Sequence, residues 1–575
     1  MIAIYVGMYI AIIPNRGSPP AILLRQGYRE EGKVKNRTLA NLTHWPAPKV
    51  DLLRRVLRDE PLAPVDQLFE VVASTHHGHV QAVRLAMQRL GVDTLIASRP
   101  CRERERVVAM VAARILEPDS KLATTRWWHT TTLPESLGVA DADEDDLYDA
   151  MDWLLARQER IEQKLAARHL TAGGLVLYDL TSSYFEGTTC PLAALGHNRD
   201  GKKGKLQVNY GLLTDGRGCP VAVSVFKGNT GDPTTLLPQV TRVRERFGIK
   251  ALVLVGDRGM ISQTQIDALK ALAGMDWITA LRTGALRGLV ADGALQLGLF
   301  DERNLFELTH PDFPGERLVA CRNPELAKLR AHKRQALLAA TVKELEKVRA
   351  MVARGRLKGQ DAIGVRVGKG VNKYKVAKHI RLEIDDARLE FHIDEEQVAA
   401  EAALDGLYVV RTSVPPARLS AEDTVRSYKR LSAVERAFRS LKTLALKVRP
   451  IHHRREPRVR AHIFLCMLAY YVEWHLREAW RPLLFADEDQ QAKTTRDPVA
   501  PAKRSAAALR KVHAKVLADG TVVHSFQTLL KTLSTIVQNV CRRQGASPEE
   551  PTFQIVTTPT PQQQRAYDLL KTITV

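Results

Sequence analysis

Gly174–Thr181, GLVLYDLT, and Ala251–Gly259, ALVLVGDRG, decide how this sequence folds. Each is a short Val/Leu-rich run whose first acid, Asp179 or Asp257, arrives at its carboxyl end. Runs of this length bounded by turn residues read as buried strands. Between them lie LQVNYGLLT, the turn DGRG, PVAVSVFKGN and a helical stretch, TTLLPQVTRVRERFG; after them come SQTQIDALKALAG and WITALR. The order strand, hairpin, helix, strand, helix, strand predicts an α/β fold, a mixed sheet with helices packed on it. Ligands of such sheets gather outside the carboxyl ends of the strands. If the two runs are parallel neighbours, Asp179 and Asp257 converge there.

Two converging carboxylates repel unless a cation lies between them, and hard oxygen donors suit Mg²⁺ or Mn²⁺. The competing reading is that each Asp merely opens a turn. Composition favours the metal. The 575-residue chain carries a formal net charge of +21 and a pI near 9.7, a field that draws phosphate polymers. Its six cysteines are scattered with no C-x-x-C pair, which argues against a disulfide framework and a cysteine zinc site and fits a reducing cytoplasm. The apolar opening MIAIYVGMYIAII is too short to span a bilayer and reads as a strand, with Met8 an equal candidate for the start.

Outward from the two strands, residues 1–45 are expected to form a small β unit broken at PNRGSPP. Residues 46–172, with apolar positions three and four apart, are expected to be a helical region for DNA binding or dimerisation. Residues 173–284 and 406–482 form the sheet-bearing domain, interrupted by an α+β insertion over 285–405 that includes a long charged helix. Residues 483–575 are read as a polar linker, further helices and a flexible Thr/Pro/Gln-rich tail. GVRVGKG at 364–370 is one residue short of a phosphate loop and no Ser or Thr follows its lysine, so nucleotide binding is excluded. HHGH at 76–79 and His452–His453 lack the spacing of a metal site and read as structural, and Trp277 reads as a core residue rather than a stacking platform.

A third acid stands in unusual company. Tyr428–Lys442, YKRLSAVERAFRSLK, sets Glu435 among two lysines and three arginines. From Arg426 to Arg460 twelve Lys or Arg face only Glu435 and Glu456, too lopsided for a solvated face with interleaved signs. On one helix Tyr428, Glu435 and Lys442, seven apart each, would share a stripe. Glu435 then either completes a metal cage with the two aspartates or closes a capping box that begins at Ser432; the spacing allows both.

YDLTSSYFEG, VGDRGM and YKRLSAVERAFRSLK together resemble the three acidic motifs of the DDE transposases of bacterial insertion sequences. The likeness is to the branch with a β-rich insertion before the glutamate and a Tyr-Arg-Glu-Lys signature. The resemblance implies a ribonuclease H-like catalytic domain in which Asp179, Asp257 and Glu435 bind two Mg²⁺ (or Mn²⁺) ions. One ion would activate water or a DNA 3′-OH and the other would stabilise the leaving oxygen. It implies that Tyr428 and Lys442 contact DNA near the cleaved end. Leu431 stands where the family has arginine, with Lys429 and Arg430 just before it; Arg439, Lys447 and Arg449 join the same basic surface. The implied partners are the inverted-repeat ends of an element, target double-stranded DNA and a second copy of the chain, on a bacterial nucleoid and with no membrane. A structure-specific nuclease on the same fold and a non-catalytic basic regulator are the alternatives.

Overall fold

A computed structural model describes residues 4–60, 68–300, 303–487, 489, 495–500 and 503–574, and the side chains of all of these but 4–6, 299 and 444. The chain divides into two compact units, residues 1–74 with 538–556, and residues 75–537 with 557–575.

The first unit opens with an antiparallel meander, β1 (Ile4–Ile13), β2 (Ala21–Glu30) and β3 (Lys33–Asn41), the β unit expected from the sequence. A helix, Ala47–Val56, follows. Next comes β4 (Phe69–His76), a strand inside the region expected to be helical. Its run FEVVASTH is β-branched and short, and its partners come from the far end of the sequence, where no local signal points to them.

The second unit is built on an eight-stranded mixed sheet. Its strands are β5 (Leu175–Tyr184), β6 (Gln207–Asp215), β7 (Pro220–Lys227), β8 (Leu252–Val255), β9 (Met275–Ala280), β10 (Leu305–Leu308), β11 (Arg317–Arg322) and, after a separate hairpin of β12 (Ile380–Asp385) and β13 (Arg388–Ile393), β14 (Leu407–Thr412). They lie in the order β10-β11-β14-β9-β8-β5-β6-β7. β5 pairs antiparallel with β6 and parallel with β8, and β8 pairs parallel with β9. The predicted α/β layer is present. β10 and β11, from within residues 285–405, extend this sheet, while the helices Pro324–Ala353, Gln360–Tyr374 and Glu395–Ala402 and the β12–β13 hairpin stand around their own core of Leu345, Ile363, Val367 and Leu389.

β6 is buried along its whole length, as a central strand should be. β7 is an edge, and side chains cover it. Gln158 donates to the Val223 carbonyl at 3.0 Å, Glu162 accepts from the Val223 amide at 3.0 Å, and Arg460 donates to the Val225 carbonyl at 2.8 Å. Capping an edge in this way prevents pairing with another chain. The helices from Gly78 to His169 share one continuous apolar core with the sheet and with the buried helix Glu456–Ala479, so the boundary expected at 172 does not divide the packing. The acid-first stretch starting at DEDD is two helices, Glu144–Leu155 and Gln158–His169, the first opened by an Asp143–Asp146 capping box.

The tail expected to be flexible is ordered. β15 (Val537–Arg543) and β16 (Phe553–Val556) complete a sheet with β4, and Pro561–Leu570 is a helix with Thr560 and Gln563 as its capping box. Ala566, Tyr567 and Leu570 are buried at helical spacing, and the Trp480 indole donates to the Ala566 carbonyl at 2.9 Å. Part of the linker expected over 486–505 lies outside the described residues. Among the described residues no helix is long and apolar enough to cross a membrane, and all six cysteines are free.

Candidate functional site

The parallel register of β5 and β8 pairs Leu175 with Val253, Val176 with Leu254 and Leu177 with Val255. Two residues beyond the last pair stand Asp179, still on β5, and Asp257, in the loop that follows β8. Asp179 does not end its strand, as the sequence suggested. β5 continues through Thr181–Tyr184 against β6, while β8 stops at Val255. Asp179 therefore sits where β5 parts from its parallel neighbour. Asp257 is exposed in the loop after β8, and its carboxylate accepts from the amides of Gly259 (3.0 Å) and Met260 (2.7 Å), which fixes its direction.

Burial pushes the Asp179 carboxyl up to about 7, with the Leu180 amide acting against it and the Asp257 charge adding to it. Two further groups act on Asp179 that the sequence reading missed, Arg199 lowering and Asp232 raising its pKa. Arg199 and Asp232 are themselves paired at 2.6 Å. They come from the polar runs GHNRDGKK and KGNTGDP that flank β6 and β7, and loop position alone could have flagged them.

The glutamate arrives on a broken helix. Ser420 caps Ala421–Lys429 by accepting from the Asp423 amide at 3.1 Å, and a second helix, Leu431–Arg439, runs into a wider turn at Ser440–Leu444. The continuous stripe through Tyr428, Glu435 and Lys442 is therefore interrupted twice. Ser432 lies inside the second helix, whose N-cap is Arg430 without a side-chain bond, so Glu435 is in no capping box. Val434 and Ala437 are buried and the helix packs on β5, leaving Glu435 exposed. Tyr428 links the elements. Burial raises its hydroxyl pKa, and Asp257 and Glu435 both raise it further against Arg258, so both carboxylates lie within electrostatic reach of this one phenol. Among the described residues the three acids do not close together into a single ligand set; the one trio of His, Cys, Asp or Glu that does so lies elsewhere.

The cations divide into two groups. Lys442 and Arg449 turn inward to Asp200, Lys442 at 2.9 Å, and Asp200 also accepts from the Tyr184 amide at 2.9 Å. This node is five residues along β5 from Asp179, roughly 16 Å at strand rise. Burial lowers the Lys442 pKa while Asp200 opposes it. Lys429 donates to the Pro498 carbonyl and Arg430 to Gly216 at 3.4 Å, whereas Arg439 and Lys447 are exposed. Leu431 packs on the main core, which gives the position a steric role. Beside Tyr428 opens a cavity of about 910 Å³ lined by Arg258, Arg287, Arg330, Lys333, Lys375 and Lys429. The histidines at 76–79 and Trp277 are structural: His76 and His77 bond to Ser534 and Thr132, and Trp277 is buried.

A mixed α/β sheet with two acids near the carboxyl ends of its adjacent central strands, in cationic surroundings, is the frame of a phosphodiester-processing enzyme. The chain belongs to the DDE transposases: the family model described as Transposase DDE domain matches residues 173–472, more than half of its length. A second model, IS1634 family transposase, N-terminal domain, matches residues 10–62. It is thus an insertion-sequence transposase, an enzyme that cleaves DNA and transfers strands. Among solved structures it is similar to the piggyBac transposase synaptic complex with hairpin DNA, at 9% identity over 79% of each chain, with a TM-score of 0.33. No curated protein matches.

Proposed function

We propose that the carboxyl end of the β5–β8 pair is the catalytic centre of a ribonuclease H-like domain, with Asp179, Asp257 and Glu435 as carboxylate ligands for two Mg²⁺ (or Mn²⁺) ions. The observation that carries this reading is the parallel pairing of Leu175–Leu177 with Val253–Val255, which leaves Asp179 on β5 and Asp257 in the loop after β8 each two residues beyond the last pair. The donor set fits, because all three acids offer hard oxygens and the Asp179 carboxyl, raised by burial and by Asp257, is the group a bound cation would ionise. Bound there, divalent ions would supply a nucleophilic oxygen and neutralise charge on the phosphate and leaving group.

The chain's own residues do the rest. The Gly259 and Met260 amides aim Asp257, and Arg199 holds Asp232 beside Asp179. The neutral Tyr428 hydroxyl is available as a hydrogen-bond donor at the scissile end, and the cationic cavity next to it accepts the phosphate backbone. The Glu435 helix, bounded by the breaks at Arg430 and Ser440–Leu444, is the element that would bring its carboxylate to the aspartates when ions and DNA arrive. The substrates are the inverted-repeat ends of the element and a target duplex, handled by two copies of the chain on the nucleoid.

The test uses the purified protein and DNA carrying the repeats that flank its reading frame. Asp179→Ala and Glu435→Gln should each lower cleavage at least about 10³-fold, several kcal/mol of transition-state stabilisation, and leave repeat binding intact. Cleavage that survives either change sinks the assignment. Binding and cutting of branched DNA without any preference for the repeats would mark a structure-specific nuclease instead.

A further inference from the structure

Away from the acids, three potential ligands from remote parts of the chain meet. His169 ends the helix Gln158–His169, Cys219 immediately precedes β7, and His475 lies on the helix Glu456–Ala479. One donor atom from each lies within 4.8 Å of the other two, and Cys219 and His475 are buried. Cys219 Sγ and His475 Nε2 are 3.8 Å apart. Around a tetrahedral zinc, sulfur and nitrogen ligands stand about 3.3–3.6 Å from one another. That pair is already near the spacing, and the third member must close by about 1 Å.

The competing account is a packed core in which the His475 ring meets Tyr471 and Trp474, each at 4.8 Å, and the thiol is a filler. Against it, the surroundings present each donor from a fixed frame. Asp215 accepts from the amides of Cys219 (2.9 Å) and Arg217 (2.8 Å), fixing the turn that carries the sulfur, and the Tyr471 hydroxyl holds His169 Nε2 at 3.0 Å. Outer partners of this kind orient the ligands of metal sites. Arg217, 3.5 Å from His169 Nδ1, is the group an ion would displace; its side chain is 62% exposed and keeps Asp215.

We propose that His169, Cys219 and His475 bind one zinc-class divalent ion, with water as the fourth ligand. As the sulfur–metal bond forms, the thiol proton leaves to solvent. The ion ties the end of a helix, a sheet turn and the buried helix Glu456–Ala479. That turn supports the Glu435 helix: Gly218, at φ +89°, lies so close that an added Cβ would stand 2.6 Å from Ala433 Cβ. The ion therefore acts as a staple behind the glutamate, apart from the ions proposed for catalysis.

The full chain with Asp179→Ala and Asp257→Ala, stripped with chelator, is titrated with Co²⁺ alone, so that the acids add no site. One ion per chain with thiolate-to-cobalt charge-transfer absorption is expected, displaced by Zn²⁺ and abolished by Cys219→Ser. Absorption that is absent, or that survives Cys219→Ser, overturns the proposal. Should Cys219→Ser fail to fold by circular dichroism, His169→Gln decides. Its zinc affinity should fall more than about 100-fold, beyond what loss of an outer partner gives, and unchanged affinity refutes the site.

Discussion

Two acidic places beside β5 behave in opposite ways. At the first, burial, with the Asp257 charge adding to it and Arg199 opposing it, drives Asp179 toward its protonated form. At the second, past the end of β5 in the chain, Asp200 faces Lys442 and Arg449 with one oxygen and accepts the Tyr184 amide with the other. Among the described residues the first place lacks a cation partner within hydrogen-bond distance of either aspartate, whereas the second is paired with two. On the proposed reading an ion would supply the missing charge at the first. The same contrast places Lys442, expected at the DNA, in an ion pair inside the fold.

The largest effect that separates the two places is expected at Asp200. Asp200→Ala strands Lys442 and Arg449 without their partner, and removing one member of a buried ion pair costs about 3–5 kcal/mol. Urea denaturation should show it, and a loss under about 1 kcal/mol would mean the node is not structural.

Asp179 should respond with the other sign. Its folded pKa of about 7 lies above the ordinary 3.8, so the folded state holds the proton more tightly and metal-free stability falls as pH rises from about 4 to about 7. Asp179→Asn removes that loss. Above pH 8, without metal, the variant should be more stable than the parent by on the order of 2 kcal/mol, with no difference near pH 4. Added Mg²⁺ should stabilise only the parent. Thermal melts across pH check both, and a variant less stable at every pH would break the contrast.

The smallest effect belongs to the exposed cations. Lys447→Ala should weaken DNA binding evenly across sequences and lower the salt slope by about 1. Binding isotherms at several salt concentrations test this. Lys442→Ala should leave the slope unchanged, and a drop there would return Lys442 to the DNA surface.

The strands of the central sheet were legible because each is an apolar run closed by turn residues, and Asp179 and Asp257 stood out as the first acids after such runs. Glu435 was visible through the charge imbalance around it. The stripe through Tyr428, Glu435 and Lys442 was misread, since a seven-residue spacing assumes one unbroken helix and the chain breaks at Arg430 and widens after Arg439. The ordered tail was missed because Thr, Pro and Gln look disordered by composition, although Thr560-Pro561 and Gln563 are a helix start. β4 and β15 recognise each other across most of the chain, beyond any local window. The Arg199–Asp232 pair had no spacing to betray it.

By itself the sequence determined the α/β layering, the basic field and where two acids follow their apolar runs, because periodicity, charge and the first acid after an apolar run are local properties of a chain. Tertiary structure alone decided which cations are neutralised, where β5 parts from β8, and that His169, Cys219 and His475 meet. Those depend on contacts between residues far apart in the chain, and contact energies of that kind are set by packing geometry and desolvation, which no linear spacing encodes.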